Sequence, residues 1–435
     1  MEKGFLNKVE DNAVVRIWAE TTQREKGDSL TEGTRQNCGI SPVSAAKVDK
    51  HLFRAIAQFW NPAYNCFTFG KVDLVPTMEE YTTLLRCPKI QVDKAYSRAA
   101  SVPTLLKKLM NITGMSEQWV AAQIQQKGDS KCVPWKSLRD LVLVHLDVKK
   151  RVDVFALGIY GLVVFPKALG HIDEAVSDLF DRFSKGVTPV LAILAETFRS
   201  LNACRRTGEG RFIGCAQLLL AWFHSHFWKM EKVSYRVFSD SYSPLEELVA
   251  TPRRDDVSEE KWMAILQNLR GEDVEWRAPW LILDEILYRC GDFDWVSLLG
   301  IWGAIGYTPL LVSRQFRSRQ FIPATQGLAH CEFSYKGDNY KNKVREMSNA
   351  WNQTRRMKIL AVGPAITPEY SQWRDQRAND NIPASNLENA RSLEEHLQVF
   401  PSEIKIIKQD FEKRSLELGK KIEQLEEENI QLGLD

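Results

Sequence analysis

The chain has 435 residues, 44% of them hydrophobic, and its 58 Lys and Arg nearly balance 56 Asp and Glu. These proportions exclude a disordered chain over most of the length and suffice for one large core or two or three smaller ones. A net charge of +2 excludes a globally basic nucleic-acid binder and leaves only local clusters of charge to consider.

The N-terminus (Met1, Glu2, Lys3, Gly4) lacks the apolar stretch and cleavage site of a signal peptide. The eight cysteines (Cys38, Cys66, Cys87, Cys132, Cys204, Cys215, Cys290, Cys331) form no close pair. Reduced thiols in a cytosolic or nuclear protein are expected. Residues 1–40 end in a Gly-, Thr- and Ser-rich stretch and read as a flexible arm. From Ser44, apolar Val48, Leu52, Ile56, Phe59 and Trp60 recur at helical spacing up to Pro62. A β hairpin follows, with strands at Cys66 to Phe69 and Val72 to Val75 and a turn at Gly70 and Lys71. Thr77 and Glu80 have capping-box spacing and predict a helix that Pro88 terminates.

Helices are then predicted at about 102–111, 116–127, 135–146, 151–165, 173–184, 188–204, 211–229 and 258–269. The fold class is mainly α: a multi-helix domain with a small N-terminal β hairpin and a C-terminal coiled-coil helix. Val154 to Phe165 is apolar all round and predicts a central helix with close neighbours at Gly158 and Gly161. The uncharged run Trp295 to Val312 is broken by Gly300, Gly303, Gly306 and Pro309, so it reads as a buried helix and turn rather than a membrane span.

Residues 312–360 hold ten Lys or Arg against three acids, with Phe316, Phe321, Phe333, Tyr335, Tyr340 and Trp351 interleaved. That pattern suits phosphate contact with base stacking, or else a solvated helix face. After a polar linker at 379–391, residues 392–435 carry apolar positions at alternating spacings of four and three. The expected coiled-coil seam is Ile404, Ile407, Phe411, Leu418, Ile422, Leu425, Asn429 and Leu432, with a four-residue stutter between its two runs. A homodimer is the expected consequence.

Catalytic chemistry finds no support in the sequence. A phosphate-binding glycine loop and a Gly-x-Ser-x-Gly elbow are both lacking, and Cys204, Cys215, His224 and His226 lack zinc-site spacing. The expectation is a protein without enzymatic activity, cofactor or metal.

Four separated segments together resemble the plant mobile domain family. They are FWNPAYNCFTFGKVDLVPTMEEYTTLLRCP at 59–88, FIGCAQLLLAWFHSHFW at 212–228, RQFRSRQFIP at 314–323, and the Tyr370-x-x-Trp373 helix within 369–374. In the third, Arg314, Gln315, Phe316, Gln320 and Pro323 match the family's pattern, and Arg317 stands where that pattern has Gly. The resemblance covers about residues 45–378 and implies a mostly helical domain at 41–378. It also implies a non-enzymatic nuclear interaction module linked to silencing of transposable elements and genome maintenance, with a phosphatase-like protein partner. A retroelement-derived structural protein is the alternative. Arg314, Gln315, Phe316, Arg317, Arg319 and Gln320 are the candidate binding residues, with the arginines reaching phosphate or an acidic partner. For Phe316 a place in the core, and for Gln320 capping of backbone groups, is the competing reading.

Overall fold

The computed structural model describes residues 48–87, 104–207, 212–227, 257–278, 285–293, 295–322, 327–336, 339–358 and 366–376, together with Val43, Ala95 and Tyr96. The expected N-terminal arm, the 379–391 linker and the whole coiled-coil seam lie outside these residues. What is described is a helical domain carrying small antiparallel sheets.

Helix α1 (Lys50–Gln58) starts where the Asp49 carboxylate accepts the Leu52 amide at 2.9 Å, and it buries Leu52, Phe53 and Ile56. Three short strands follow: β1 (Trp60–Asn61), β2 (Cys66–Phe69) and β3 (Val72–Leu74), paired in that order. The hairpin stands as expected with β1 as an added edge, but every residue of all three strands is buried. It is therefore a core element and not a surface ribbon. Helix α2 (Met78–Leu84) opens with the expected capping box: Thr77 accepts the Glu80 amide at 3.2 Å and Glu80 accepts the Thr77 amide at 2.9 Å.

The helices α3 (Leu105–Thr113), α4 (Glu117–Gln123), α5 (Trp135–Val144), α6 (Val148–Ile159), α7 (Glu174–Phe183), α8 (Val190–Thr207), α9 (Ala216–Phe227) and α10 (Glu259–Gln267) follow the predicted order. Between them lies a sheet that periodicity does not announce: β4 (Gln125–Lys127), β5 (Ser130–Pro134) and β6 (His171–Asp173). It takes residues 125–127 away from the helix predicted over 116–127. The central helix is α6, continued as a π turn over Tyr160–Val164, and the run Val152 to Phe165 is buried throughout. A Cβ on Gly158 would lie 2.5 Å from the Trp135 ring, and one on Gly161 would lie 2.7 Å from Ile172, so the close packing expected at these glycines is present.

The run from Trp295 to Val312 corrects the helical expectation. It forms a buried hairpin, β8 (Val296–Leu299) and β9 (Gly303–Tyr307), followed by a 3-10 helix at Pro309–Phe316. An apolar run of this length fits a fully buried strand as well as a helix. Here Gly300 at the turn lets Glu196 reach the Trp302 amide at 2.7 Å. No described helix is long and apolar enough to cross a membrane. Strand β7 (Glu285–Cys290) precedes this hairpin. After it come α11 (Leu328–Cys331), β10 (Phe333–Ser334), α12 (Tyr340–Asn352), β11 (Thr354–Lys358) and α13 (Pro368–Gln376). Strand β10 joins β9, and β11 pairs with β7. The β structure is thus spread along the chain and not confined to an N-terminal hairpin.

One buried ionic cluster joins α3 to α7. Asp178 contacts Lys108 at 2.9 Å, Arg182 at 3.1 Å and the Tyr96 hydroxyl at 2.8 Å. Burial opposes the charge, but Lys108, Arg182 and Tyr96 together hold the Asp178 carboxyl below its ordinary value. A carboxyl lowered on folding stabilises the protein above its unfolded pKa of about 4, and that stabilisation is lost as pH falls through the folded value. Asp178→Asn should therefore cost about 2–4 kcal/mol at pH 7 by urea denaturation. The gap from wild type should close as pH drops below about 4; a gap independent of pH would contradict the assignment.

Candidate functional site

The four segments that carry the family resemblance meet at one place. Its centre is Glu80 on α2, whose side chain is 0% exposed. Its carboxylate accepts the Thr77 amide at 2.9 Å, the Trp222 indole N–H at 3.0 Å and the Gln315 amide nitrogen at 3.1 Å. His226 Nε2 lies 3.0 Å from Glu80 Oε1. The other ring nitrogen of His226 faces the Glu275 carbonyl at 2.8 Å. A carbonyl only accepts, so Nδ1 is the donor in that contact.

Gln315 behaves as a strand neighbour. Its Oε1 accepts the Val75 amide and its Nε2 donates to the Val75 carbonyl, both at 3.0 Å, so the side chain completes the hydrogen bonding of the chain just past β3. On β3 itself, buried Asp73 accepts from the Thr68 hydroxyl at 2.8 Å and from the Tyr370 hydroxyl at 2.5 Å. Trp373, one turn further along α13, packs edge-on against Tyr64. The first segment therefore binds the other three: the second through Trp222 and His226, the third through Gln315, the fourth through Tyr370 and Trp373. A second network fixes the opposite end of the hairpin. Asn202 accepts the Trp60 indole N–H at 2.6 Å and donates to Asn65 and Glu332, both at 3.0 Å.

The candidate binding residues divide. Gln315 and Gln320 are 0% and 1% exposed and Phe316 is 2% exposed. Phe316 packs with Ala278, Ile286 and Met357, and Gln320 donates to the Leu311 carbonyl. These three side chains are buried and fasten the segment to the core from inside. Arg314 is half-buried and its guanidinium lies over Trp276, 3.8 Å from the ring centroid. Burial lowers its pKa from the usual arginine value.

Arg317 and Arg319 are exposed, and their side chains make no hydrogen bond or ion pair among the described residues. Beyond them, Phe321 and Ile322 are 38% and 41% exposed. Phe321 is one of the aromatics expected to stack from sequence; Ile322 was not singled out. The available signal was the alternation itself: Arg317, Arg319 and Phe321 point outward while Ser318 and Gln320 are buried. The same segment loses aromatics expected for stacking, because Phe316, Tyr335 and Trp351 are core residues.

Backbone geometry sets Arg317 apart from its neighbours. The Arg317 amide donates to Arg314 O at 3.0 Å and the Ser318 amide to Ser313 O at 3.1 Å, which closes the 3-10 helix with a Schellman turn. Arg317 sits at its left-handed position with φ +58°. Glycine is the usual residue there, and a β-carbon at such a position costs about 1 kcal/mol.

Glu79, beside the hub, accepts the Leu287 amide at 2.9 Å and so ties α2 to β7. Burial, with a smaller contribution from Glu80, raises its carboxyl from 4.5 to about 7 against the opposing Leu287 amide and Arg356. A carboxyl raised on folding binds its proton more tightly in the folded state, so its contribution to stability falls between about pH 4.5 and 7. The stability of Glu79→Gln relative to wild type should therefore rise across that interval and level off above it, as measured by urea unfolding at several pH values; parallel curves would contradict the assignment.

No curated protein and no solved structure matches the chain. The family model described as "Domain of unknown function (DUF7745)" matches residues 36–379, which include every described element, and the chain belongs to that family.

Proposed function

We propose that this protein is a non-enzymatic binding module of the nucleus, of the plant mobile domain type, serving silencing of transposable elements and genome maintenance. Its contact surface is the outer side of the segment from Arg317 to Ile322. A coiled coil at residues 392–435 joins two copies, and a phosphatase-like protein is the partner the resemblance implies.

The observation that carries this reading is the division of that segment. Gln315, Phe316 and Gln320 lock it into the core, and Arg317 and Arg319 stand in solvent with adjacent apolar side chains. A cationic and apolar ridge on a rigid base suits recognition, since little ordering is needed on binding. The buried acids and histidine of the hub support binding over catalysis, because Glu80 and His226 are 0% exposed and their polar atoms are engaged in internal hydrogen bonds.

The test is the distribution of the tagged full chain in plant cells. The wild-type protein should enter the nucleus and resist extraction at moderate salt. The double variant Arg317→Glu, Arg319→Glu should enter equally well but be extracted several-fold more readily. A wild-type protein found throughout the cytoplasm, or equal extraction of the two, would contradict the reading.

A further inference from the structure

Three described non-glycine residues adopt positive φ: Asn65, Arg86 and Arg317. Asn65 uses its geometry, since its side chain donates to Gly306 O at 2.9 Å and accepts from Asn202 at 3.0 Å. Arg86 is not without partners. Arg317 alone holds a strained position that glycine would fill more cheaply, while its exposed side chain gains nothing from the rest of the described protein. Strain that returns nothing inside the molecule points outward, to something the guanidinium meets on binding.

The surroundings say what that is. Arg319 lies two residues on, also exposed, and Phe321 a further two, with part of its ring in solvent. Backbone hydrogen bonds tie down the base of this ridge. The Phe321 amide donates to Leu310 O at 3.2 Å, and the Thr367 amide donates to Gln320 O at 3.1 Å beside the parallel bridge of Gln320 with Ile366. Phe316 packs against Met357 of β11, and two residues before Met357 the exposed Arg355 stands directly opposite Arg289 of β7. Arg355 adds an exposed positive charge on the β7–β11 ribbon, which packs beside the 3-10 helix.

We infer that this ridge binds single-stranded nucleic acid, with Arg317 and Arg319 on successive phosphates and Phe321 stacked on a base. The inference rests on the binding reading above and names its ligand. Planar guanidiniums meet phosphate oxygens with two parallel hydrogen bonds. An aromatic face among them is of use to a polymer that repeats both an anion and a flat ring. An acidic peptide offers the first and not the second.

The experiment is fluorescence anisotropy of the full chain with a labelled 15-nucleotide oligo-dT over a range of salt concentrations, with polyglutamate as competitor. Affinity should fall with salt, and Arg319→Gln should reduce the slope of log K against log salt by about 0.7. Phe321→Ala should weaken binding about fivefold or more with the slope unchanged. Arg317→Gly is the sharpest variant: it should raise the melting temperature by a few degrees and still weaken binding several-fold.

Equal affinity for wild type and both Arg317→Gly and Phe321→Ala would overturn the inference. So would displacement of the oligonucleotide by polyglutamate at equal charge concentration, an outcome that assigns the ridge to an acidic protein and leaves the broader binding reading standing. A chain that resists nuclear extraction through Arg317 and Arg319 yet ignores oligo-dT would likewise overturn this inference alone.

Discussion

A carboxylate removed from water costs several kcal/mol unless its lone pairs are used, and Glu80 has no contact with solvent. Four groups from three parts of the chain meet it: the Thr77 amide, the Trp222 indole and the Gln315 amide donate to it, and the His226 ring lies against it at 3.0 Å. The need to satisfy this one group fixes where the hairpin, α2, α9 and the 3-10 helix must stand. Because α2 also carries Glu79, which holds β7 through Leu287, one short helix positions both the core and the ribbon beside the ridge.

The same arrangement gives the surface segment its character. A loop held only at its ends would present Arg317 and Arg319 in many orientations. Here Gln315 pairs with Val75 as a strand would, Phe316 fills an apolar pocket, and Gln320 is buried against Leu311. The buried half of the segment is thus the foundation of the exposed half. The left-handed residue between them turns the chain from helix to extended ridge and places its cationic side chain at the turn's outer edge.

Local signals were legible in the sequence where one element carries its own grammar. The Thr77–Glu80 box, the Gly70 turn and the crowded face at Gly158 were each readable from a few residues, because capping, turn geometry and close packing are short-range. The buried hairpin at Trp295 to Tyr307 was not, since a wholly apolar run has no period to distinguish strand from helix. Strands β4 to β6 escaped for a different reason: β4 is three exposed polar residues whose pairing depends on β5. The hub itself was invisible as a unit. Glu80, Trp222, His226 and Gln315 span more than two hundred residues, and only the joint presence of the four segments hinted that they belong together. Within RQFRSRQFIP, the chemistry of Gln and Phe suited a ligand and a core equally, and burial decided between them.

Glu80 and Gln315 act as one energetic unit that links the hairpin to the segment beneath the ridge. A double-mutant cycle tests it most directly, using Glu80→Gln, Gln315→Ala and the double variant of the full chain, each unfolded in urea at pH 7. Direct hydrogen bonding in a buried site predicts a coupling energy of about 1–3 kcal/mol. A coupling below about 0.3 kcal/mol, the level expected of independent sites, would contradict the account.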